Sequence, residues 1–342
     1  MKQVVLGRTG LKVNKLGLGG IPIQRVSEEQ AAETVCYAVE NGIDFIDTSR
    51  VYPTSEHKIG IALKQTDKPV VLATKSKERT ASGIRSDIEI SLKELQTDYI
   101  HIYQCHFIKE NEYPEIISPG GALEGLLQAK NEGLIGHVGV TAHSLDMLDR
   151  VLDDGLFDTI MVCFSFMEPE AKNKIIPKAL EKNIGVIAMK PMSGGVIEHP
   201  KPALKYALGE EGVLVLCGVE NTTKFDQNWQ IFAGDHRLDD EDKKIIDDIR
   251  KEYDKNFCRR CDYCQPCTEG IPIQMVLGVR SQAKRMGDQI FAKEPRKSMI
   301  DKARDCSECG ECMTRCPYEL PIPELLKERI QWVDSLLKSM RA

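Results

Sequence analysis

Eight of the twelve cysteines in this chain are crowded between Cys258 and Cys316. They form two runs in which a cysteine recurs at about every third residue. The first run reads Cys258-x-x-Cys261-x-x-Cys264-x-x-Cys267, and the second reads Cys306-x-x-Cys309-x-x-Cys312-x-x-x-Cys316-Pro317. Three thiolates at this spacing can surround one face of an iron–sulfur cubane. Where a protein holds two such clusters, the remote cysteine that precedes a proline ligates the other cluster.

The spacing therefore predicts two [4Fe-4S] clusters whose fourth ligands are exchanged between the runs. One predicted ligand set is Cys258, Cys261, Cys264 and Cys316, and the other is Cys306, Cys309, Cys312 and Cys267. Similar tails, Ile271-Pro272-Ile273 and Leu320-Pro321-Ile322, follow the two runs, as a pseudo-twofold pair of clusters would produce. The first run has two residues instead of three before Cys267 and a threonine instead of a proline after it, which makes Cys267 the least typical ligand.

Zinc and disulfides are the alternative uses of these cysteines. Structural zinc normally takes two Cys-x-x-Cys pairs, which a triple repeat ending in Cys-Pro fits poorly. Disulfides do not persist in the cytosol, the compartment expected for this chain. The two runs therefore favour iron–sulfur clusters.

A second set of chemically active residues lies at the ends of three successive predicted strands. Asp47 ends one strand and Tyr52 follows in its loop, while Lys75 and His106 end the next two strands. A lysine beside a tyrosine favours the phenolate, and an aspartate beyond the lysine holds it in place. With a histidine to orient a carbonyl oxygen, the group could supply the proton when a hydride is delivered to a carbonyl. Each residue alone has a structural explanation: a cap for the aspartate, a surface position for the lysine, a strand end for the histidine and a loop aromatic for the tyrosine. Because four complementary residue types occur at successive strand ends, together they favour an active site.

The elements that would position these residues follow an alternating pattern up to about residue 235. Eight short apolar strands are predicted, with helical patterns between them, beginning at Val13, Asp44, Val70, Tyr99, His137, Thr159, Gly185 and Val213. This alternation predicts an α/β fold of the (β/α)8 TIM-barrel type, whose active site lies at the carboxyl ends of the strands. A doubly wound sheet is the competing fold, and it is less favoured because no Gly-x-Gly-x-x-Gly follows a strand.

The chain is predicted to contain two domains. The barrel is expected over residues 1–235, a charged connecting helix over 236–256, and a small, mainly α-helical ferredoxin-like domain over 257–342. Helical patterns in the last domain lie around Met275–Phe291, Met299–Arg304 and Glu324–Met340.

Four stretches of the first domain resemble the aldo-keto reductase family: LGRTGLKVNKLGLGG from Leu6, FIDTSRVYPTSEHKIG from Phe45, VVLATKS from Val70 and DYIHIYQCH from Asp98. The resemblance runs along essentially all of the first 235 residues. It implies that Asp47, Tyr52, Lys75 and His106 form the catalytic tetrad of that family, with Tyr52 as the general acid. The second domain resembles bacterial-type ferredoxins, and the combination is similar to a subgroup of aldo-keto reductases with a C-terminal ferredoxin-type domain for two [4Fe-4S] clusters.

The resemblance also implies a nicotinamide cofactor. KPMSGG from Lys190 resembles the loop that covers the pyrophosphate, and GVENTTKFDQN from Gly218 resembles the adenine-side segment. The predicted cofactor-binding residues are Thr141, Lys190, Met192, Gly194, Gly218, Lys224, Gln227 and Asn228. Lys224 stands where the family often places an arginine for the 2′-phosphate and is equally explained as a solvated lysine. NADP(H) is therefore favoured over NAD(H), with both left open.

The carboxamide end of the cofactor site departs from the family pattern. A Ser-Asn pair and a glutamine are replaced by Thr141, Ala142 and Met161. The side chains of Ala142 and Met161 cannot form hydrogen bonds, which leaves room for a flavin as an alternative cofactor.

The net charge and the hydropathy of the chain exclude some classes of binding partner. A net charge of −6 argues against nucleic acid and anionic membrane surfaces. No apolar run reaches membrane-spanning length, and the first residues do not form a secretory signal, so a cytoplasmic location is expected. The expected partners are a small carbonyl or alcohol substrate and, as a further candidate, a redox partner protein.

Three functions remain in view. The favoured prediction is NAD(P)H-dependent reduction of a carbonyl by a protein that also carries two clusters. The alternative is a ferredoxin-coupled oxidoreductase in which the clusters exchange electrons with the barrel site. That alternative calls for a flavin, because nicotinamides transfer hydride whereas a cluster passes one electron. A non-enzymatic electron-transfer or assembly subunit is the third, and the intact tetrad makes it the least favoured.

Overall fold

The computed structural model describes residues 2–340. The chain divides into two compact units. One unit holds the chain up to Ser193 together with Ile197–Lys243, and the other holds Gly194–Val196 together with the chain from Lys244 onward. The domain boundaries at residues 235 and 256 stay a prediction.

Within the described residues, the first unit is built on a closed barrel of eight parallel strands. An antiparallel hairpin of β1 (Gln3–Val5) and β2 (Lys12–Asn14) precedes it. The barrel strands are β3 (Leu16–Gly19), β4 (Phe45–Asp47), β5 (Val71–Ser76), β6 (Ile100–Cys105), β7 (Ile135–Thr141), β8 (Thr159–Cys163), β9 (Gly185–Met189) and β10 (Val213–Cys217). Their order around the barrel follows the chain, and β10 closes against β3. The predicted TIM-type barrel is confirmed.

Helices alternate with these strands and supply the outer apolar layer. They are α1 (Glu28–Glu40), α2 (Ser55–Leu63), α3 (Ala81–Glu94), α4 (Tyr113–Ile117), α5 (Ala122–Asn131), α6 (Leu145–Asp154), α7 (Ile175–Glu181), α8 (Pro200–Leu208) and α9 (Thr222–Ala233). Ser27, Thr80, Ser144 and Asn221 cap four of them by accepting a backbone N–H. The helical pattern over residues 168–182 is broken into a 3-10 turn and α7, which begins at Ile175 so that Pro177 falls in its first turn, where a missing N–H is tolerated.

Alternation along the strands separates two apolar layers. Phe45, Ala73 and Ile102 belong to a cluster inside the barrel, whereas Ile46 and Tyr103 pack in the layer beneath the helices. Because successive side chains of a strand point to opposite faces, the next inward positions toward the carboxyl ends are Asp47, Lys75 and Gln104. The barrel interior therefore changes from apolar to polar at its carboxyl end.

The rest of the chain is mainly helical. Its elements are α10 (Asp240–Tyr253), α11 (Ile273–Leu277), α12 (Val279–Met286), α13 (Arg296–Ala303), α14 (Glu311–Thr314) and α15 (Ile322–Ser339). The helical pattern over 275–291 is interrupted at Gly278 and Gly287, where Gly287 has φ +82° and is followed by a 3-10 turn. Between Lys2 and Met340, no helix is both long enough and apolar enough to cross a membrane.

Candidate active site and cysteine cavities

Asp47 and Lys75 form a buried ion pair at the carboxyl ends of β4 and β5. Lys75 Nζ donates to Asp47 Oδ1 and, at 2.6 Å, to the backbone carbonyl of Thr48. The two residues are only 4% and 2% exposed. Burial raises the pKa of Asp47 and lowers the pKa of Lys75, and the opposite charge of the partner counters each shift. The two charges are therefore maintained by each other.

Gln104 is a third member of this group that the motifs did not reveal. It lies on β6, is fully buried, and donates from Nε2 to Asp47 Oδ2 at 3.2 Å. The period of two along β6 places Gln104 on the same face as Ile102 and His106. A polar side chain in that inward series is the sequence signal that could have identified it.

Tyr52 lies in the turn that leads into α2. Its N–H donates to the Ser49 carbonyl at 3.0 Å, and its own carbonyl accepts the N–H of Ser55. Lys75 Nζ is 5.5 Å from the centroid of the Tyr52 ring, and the His106 ring is edge-on to it with centroids 6.0 Å apart. The structure thus brings Asp47, Tyr52, Lys75 and His106 together at one end of the barrel.

His106 is held in its neutral form. Burial lowers its pKa well below the ordinary value, and the charges of Lys75, Lys77, Lys190 and Arg79 lower it further. Its backbone is fixed, since its N–H donates to the Ser76 carbonyl at 2.7 Å. A neutral imidazole carries one N–H, so His106 can donate a single hydrogen bond through its ring.

Ser49 is the second residue that the motifs did not reveal. Its hydroxyl is fully buried, 2.9 Å from His106 Nδ1 and 3.0 Å from the Lys75 carbonyl. The adjacent Lys75 carbonyl also accepts the N–H of Arg50 at 3.0 Å. Ser49 therefore links the backbone of β5 to the imidazole and limits how that ring can rotate.

A buried carboxylate anchors the turn that carries Tyr52. Glu56, in α2, is 2% exposed and pairs with Arg50. It also accepts hydrogen bonds from Thr74 at 2.6 Å and Ser91 at 2.8 Å. The turn is thereby tied to β5 and α3.

At the carboxamide end, Thr141 is the last residue of β7, Ala142 follows it, and Met161 lies within β8. Thr141 is buried, and its Oγ1 accepts the N–H of Phe107 at 2.6 Å. Ala142 and Met161 are buried and apolar. Lys190, with φ +61°, places Nζ 2.6 Å from His143 Nε2. Of the three residues at the carboxamide end, Thr141 carries a hydroxyl, whereas Lys190 belongs to the loop predicted to cover the pyrophosphate.

The loop predicted to cover the pyrophosphate is divided between the two units. The Met192 carbonyl accepts the N–H of Ile197 at 3.3 Å. Gly194 has φ +73° and belongs to the second unit, where its carbonyl accepts a hydrogen bond from Ser281 Oγ at 2.7 Å. At Gly218 an added Cβ would lie 2.6 Å from Pro22, so close packing already requires glycine there.

The adenine-side residues lie along α9. Lys224 and Gln227 are exposed, and Lys224 pairs with Glu220. Asn228 is buried, with Nδ2 3.3 Å from Cys217 Sγ. Lys224 and Gln227 therefore have the exposure that contact with a phosphate and an adenine requires, whereas the amide of Asn228 is directed inward.

The eight clustered cysteines line two cavities of the second unit. Four of them line one cavity: Cys258, Cys261, Cys264 and Cys316. The other four line a second cavity: Cys267, Cys306, Cys309 and Cys312. Each cavity thus takes three thiols from one run and the last thiol of the other run.

The chemistry of the cavities suits a cluster. All twelve cysteines are free thiols. In residues 2–340 no group of three His, Cys, Asp or Glu side chains closes around a single ion position, whereas four thiols line each larger cavity. Burial raises the pKa of Cys261 to about 12, so its thiolate requires a positively charged partner such as iron.

The two runs share their backbone conformation. In the first run the residues on either side of Cys261 have positive φ, +60° at Arg260 and +69° at Asp262. In the second run the residues on either side of Cys309 have φ +56° and +80°. These turns direct successive thiols to the same side of each loop, as a shared ligand cavity requires.

The repeat continues beyond the last cysteine of each run. Gly270 and Glu319 both have positive φ, and their N–H groups donate to the carbonyls of Cys267 and Cys316 at 2.9 and 3.1 Å. The similar tails then lead into α11 and α15.

Two sequence models match separate parts of the chain. The model described as the aldo/keto reductase family matches residues 15–202. The model described as a 4Fe-4S dicluster domain matches residues 257–321.

The curated relatives match over more than half of the chain. L-Galactose dehydrogenase of Arabidopsis thaliana is 33% identical over 216 residues, which cover 58% of this chain and 67% of that protein. NADH-specific methylglyoxal reductase of Escherichia coli is 26% identical over 228 residues, covering 58% of this chain and 69% of that protein. The matches thus span about two thirds of each of these relatives.

Solved structures support the same fold. The holo form of an aldo-keto reductase from Bacillus halodurans gives a TM-score of 0.63 at 22% identity, covering 73% of this chain and 96% of that chain. An aldo-keto reductase from Klebsiella pneumoniae in complex with NADPH gives a TM-score of 0.63 at 19% identity, covering 73% and 95%. At these identities the likeness shows the barrel fold alone.

Proposed function

The chain belongs to the aldo/keto reductase family and carries a C-terminal 4Fe-4S dicluster domain, and on that basis we propose that it is an NAD(P)H-dependent carbonyl reductase with Tyr52 as general acid. Asp47, Lys75 and His106 complete the proposed catalytic group. The substrate is a small aldehyde or ketone, or the corresponding alcohol in the reverse direction.

The observation that carries this proposal is the buried ion pair beside the Tyr52 ring. Lys75 Nζ lies 5.5 Å from the ring centroid and is held by Asp47, with Gln104 supporting the carboxylate. When Tyr52 gives up its proton, the ammonium group stabilises the phenolate in a site with little water to screen it. Asp47 and Lys75 thus act as positioning residues, and Tyr52 transfers the proton.

His106 orients the substrate in this proposal. Its ring is edge-on to Tyr52 and neutral, and its Nδ1 is engaged by Ser49. The Ser49 hydroxyl donates to the Lys75 carbonyl, and for the proposed role it must turn its single proton to Nδ1 instead. The ring proton of neutral His106 is then on Nε2 and can be donated to the carbonyl oxygen. The oxygen would then receive a hydrogen bond from His106 and a proton from Tyr52.

A bound nicotinamide would supply the hydride. Thr141 provides a hydroxyl at the carboxamide end, and Lys224 and Gln227 provide exposed polar groups for the adenine and its phosphate. These side chains fit NADP(H) or NAD(H), with Lys224 favouring the 2′-phosphate.

Tyr52→Phe tests the proposed acid. The variant keeps the ring and loses the hydroxyl, so carbonyl reduction should fall by at least about a thousandfold, the scale of a lost general acid. NADPH binding, followed by fluorescence, should change less than about threefold. Tyr99→Phe is the matched control, because Tyr99 lies at the amino end of β6 and is 39% exposed. Unchanged turnover in Tyr52→Phe would refute the role of Tyr52.

The cysteine cavities support a second part of the proposal, that the C-terminal domain holds two [4Fe-4S] clusters. Four thiols around each cavity match the ligand requirement of a cubane. Anaerobic purification should give about eight irons and eight sulfides per chain. A value near four would contradict the second cluster.

The apolar carboxamide end favours one other function. Ala142 and Met161 are buried and cannot hold an amide through their side chains. In this second candidate a flavin in the barrel links two-electron chemistry to one-electron transfer by the clusters. A yellow chromophore released on denaturation, together with absent NADPH binding, would favour it. No flavin and tight NADPH binding would favour the carbonyl reductase.

A further inference from the structure

The helix α12 has two faces with different partners. Val279 and Ala283 are buried in the apolar core of the second unit, the core that also contains Cys264. Because an α-helix turns once in 3.6 residues, Ser281 and Lys284 lie on the opposite side of α12. One helix therefore carries both part of the core of the cysteine-rich unit and a pair of hydrogen-bond donors directed elsewhere.

Ser281 and Lys284 bind the backbone of a segment that is remote in sequence. Ser281 Oγ donates to the Gly194 carbonyl at 2.7 Å, and Lys284 Nζ donates to the Gly195 carbonyl at 3.2 Å. Ser281 is 8% exposed, and a Cβ added at Gly194 would lie 3.0 Å from its Oγ, so the two residues are in close contact. The carbonyls of two successive glycines are thus held by one helix.

The segment held in this way is the centre of the loop predicted to cover the pyrophosphate. Gly194–Val196 group with the second unit, whereas Ser193 and Ile197, to which peptide bonds join them, group with the barrel. Ser193 is fully buried, with its Oγ 2.9 Å from Ser165 Oγ. The loop is therefore fixed by a serine of the barrel at its start and by α12 at its centre.

Holding a carbonyl also orients the N–H of the next residue. The C=O and N–H of a trans peptide point in opposite directions, so the N–H groups of Gly195 and Val196 are directed away from α12. Among residues 2–340, neither N–H donates to a backbone carbonyl. Gly194 and Gly195 have φ +73° and +91°, and successive N–H groups in turns of this kind form concavities that bind anions.

We propose that Ser281, assisted by Lys284, is a positioning residue for the pyrophosphate of the nicotinamide cofactor. The two side chains hold the glycine carbonyls so that the N–H groups of Gly195 and Val196 donate to phosphate oxygens. The affinity for the cofactor therefore depends on a helix of the cysteine-rich unit. The inference rests on the proposed use of NADP(H) or NAD(H), and no covalent bond changes at this loop.

Two nucleotides separate this role from a general loss of structure. NADPH contains the pyrophosphate, whereas adenosine 2′,5′-bisphosphate has the adenine end and the 2′-phosphate without it. The variant is Ser281→Ala. Ser339→Ala is the matched control, because Ser339 Oγ also donates to a backbone carbonyl, that of Leu336 within its own helix. Both nucleotides are titrated into the cluster-loaded protein by calorimetry, which needs no turnover.

We expect Ser281→Ala to raise the Kd for NADPH about fivefold, the scale of one lost hydrogen bond, and to change the Kd for adenosine 2′,5′-bisphosphate less than about twofold. Ser339→Ala should change neither value. An unchanged Kd for NADPH in Ser281→Ala would overturn the proposal. An equal loss of affinity for both nucleotides would also overturn it, because a role at the pyrophosphate leaves the adenine end unaffected.

Hydrogen exchange gives a second readout that is independent of activity. In the wild type, NADPH should slow the exchange of the amides of Gly195 and Val196, followed by mass spectrometry of a peptide that spans them, and the slowing should be smaller in Ser281→Ala. Exchange that NADPH does not slow in the wild type would contradict the assigned donors.

The proposed function is decided separately by turnover. NADPH binding that depends on Ser281, with no aldehyde or ketone reduced, would refute the carbonyl reductase and support this inference. Reduction of a carbonyl with NADPH binding that is the same in Ser281→Ala and in the wild type would support the reductase and overturn this inference. A wild type that does not bind NADPH would overturn both.

Discussion

The ion pair of Asp47 and Lys75 is the residue-scale feature on which the proposed chemistry depends. Both charges are buried, so each is stable only because the other is present. Two nearby side chains form hydrogen bonds with members of this group: Gln104 with the Asp47 carboxylate and Ser49 with the His106 ring. Removing one charge should therefore affect stability as well as activity.

Asp47→Asn leaves the Lys75 ammonium buried without its counter-charge. We expect the free energy of unfolding to fall by about 3 kcal/mol and carbonyl reduction to be nearly abolished. Urea unfolding of the anaerobic protein measures the first effect and steady-state kinetics the second. Asp67→Asn, at an exposed position before β5, should change neither. Equal stability of Asp47→Asn and the wild type would mean that Lys75 is not held as a cation.

His106 gives a pH dependence whose sign follows from its environment. Its pKa lies well below the ordinary value in the folded state because of burial and of neighbouring cations. An unfolded chain takes up that proton near pH 6.5, so this residue makes folding less favourable as the pH falls through that value.

Nuclear magnetic resonance of isotopically labelled histidine should show no titration of His106 between pH 7.5 and 5.5. In His106→Gln the loss of unfolding free energy over the same range should be smaller by about 1 kcal/mol. A His106 resonance that titrates near pH 6.5 would contradict the neutral assignment.

At the scale of elements, neither cysteine run lines a cavity by itself. Each run gives three thiols to one cavity and its last thiol to the other. Cys264 and Cys267 are three residues apart in the chain yet line different cavities. Cys267 and Cys306 belong to different runs and line the same cavity. The residues on either side of Cys261 and of Cys309 have positive φ, so the two loops have the same conformation. That shared loop conformation accounts for the exchange of the last cysteine between the cavities.

Paired substitutions test the exchange directly. Cys264→Ala with Cys267→Ala alters one run but both cavities, so the iron content should fall from about eight to near zero. Cys267→Ala with Cys306→Ala alters both runs but one cavity, and about four irons should remain. Metal analysis and the electron paramagnetic resonance signal of the reduced protein measure this. Four irons in the first double variant and none in the second would show that each run holds its own cluster.

The elements of the fold and the main residues of the site could be predicted from the sequence. The barrel, the mainly helical second domain and the meeting of Asp47, Tyr52, Lys75 and His106 were accessible because strand periodicity and residue type carry that information. Gln104 and Ser49 were not singled out, because their roles depend on which side chain each faces across a strand or turn. The breaks at Gly278 and Gly287 were missed because an apolar helical pattern continues through them.

The whole molecule has a separate apolar core in each compact unit. One core fills and surrounds the barrel, and another lies among α11 to α15 and includes Cys264 and Cys312. The second core thus contains part of the predicted cluster ligands. If clusters occupy the cavities, their removal should destabilise that core more than the barrel.

The two tryptophans allow the units to be followed one at a time, since Trp229 lies in α9 and Trp332 in α15. In Trp229→Phe the remaining fluorescence reports the second unit, and in Trp332→Phe it reports the barrel. After anaerobic removal of iron by a chelator, the Trp332 transition should move to clearly lower urea, while that of Trp229 should move little. A parallel shift of both would contradict independent stabilisation.

Because the fourth cysteine of each cavity comes from the other run, the two cavities obtain their complete sets of thiols at different points of translation. The cavity lined by Cys267, Cys306, Cys309 and Cys312 has all its thiols once Cys312 has been translated. The cavity that begins with Cys258, although its first three thiols are made earliest, waits for Cys316. A growing chain thus completes the later-encoded site first, and the earlier-encoded cysteines stay as an open half-site until the last one arrives.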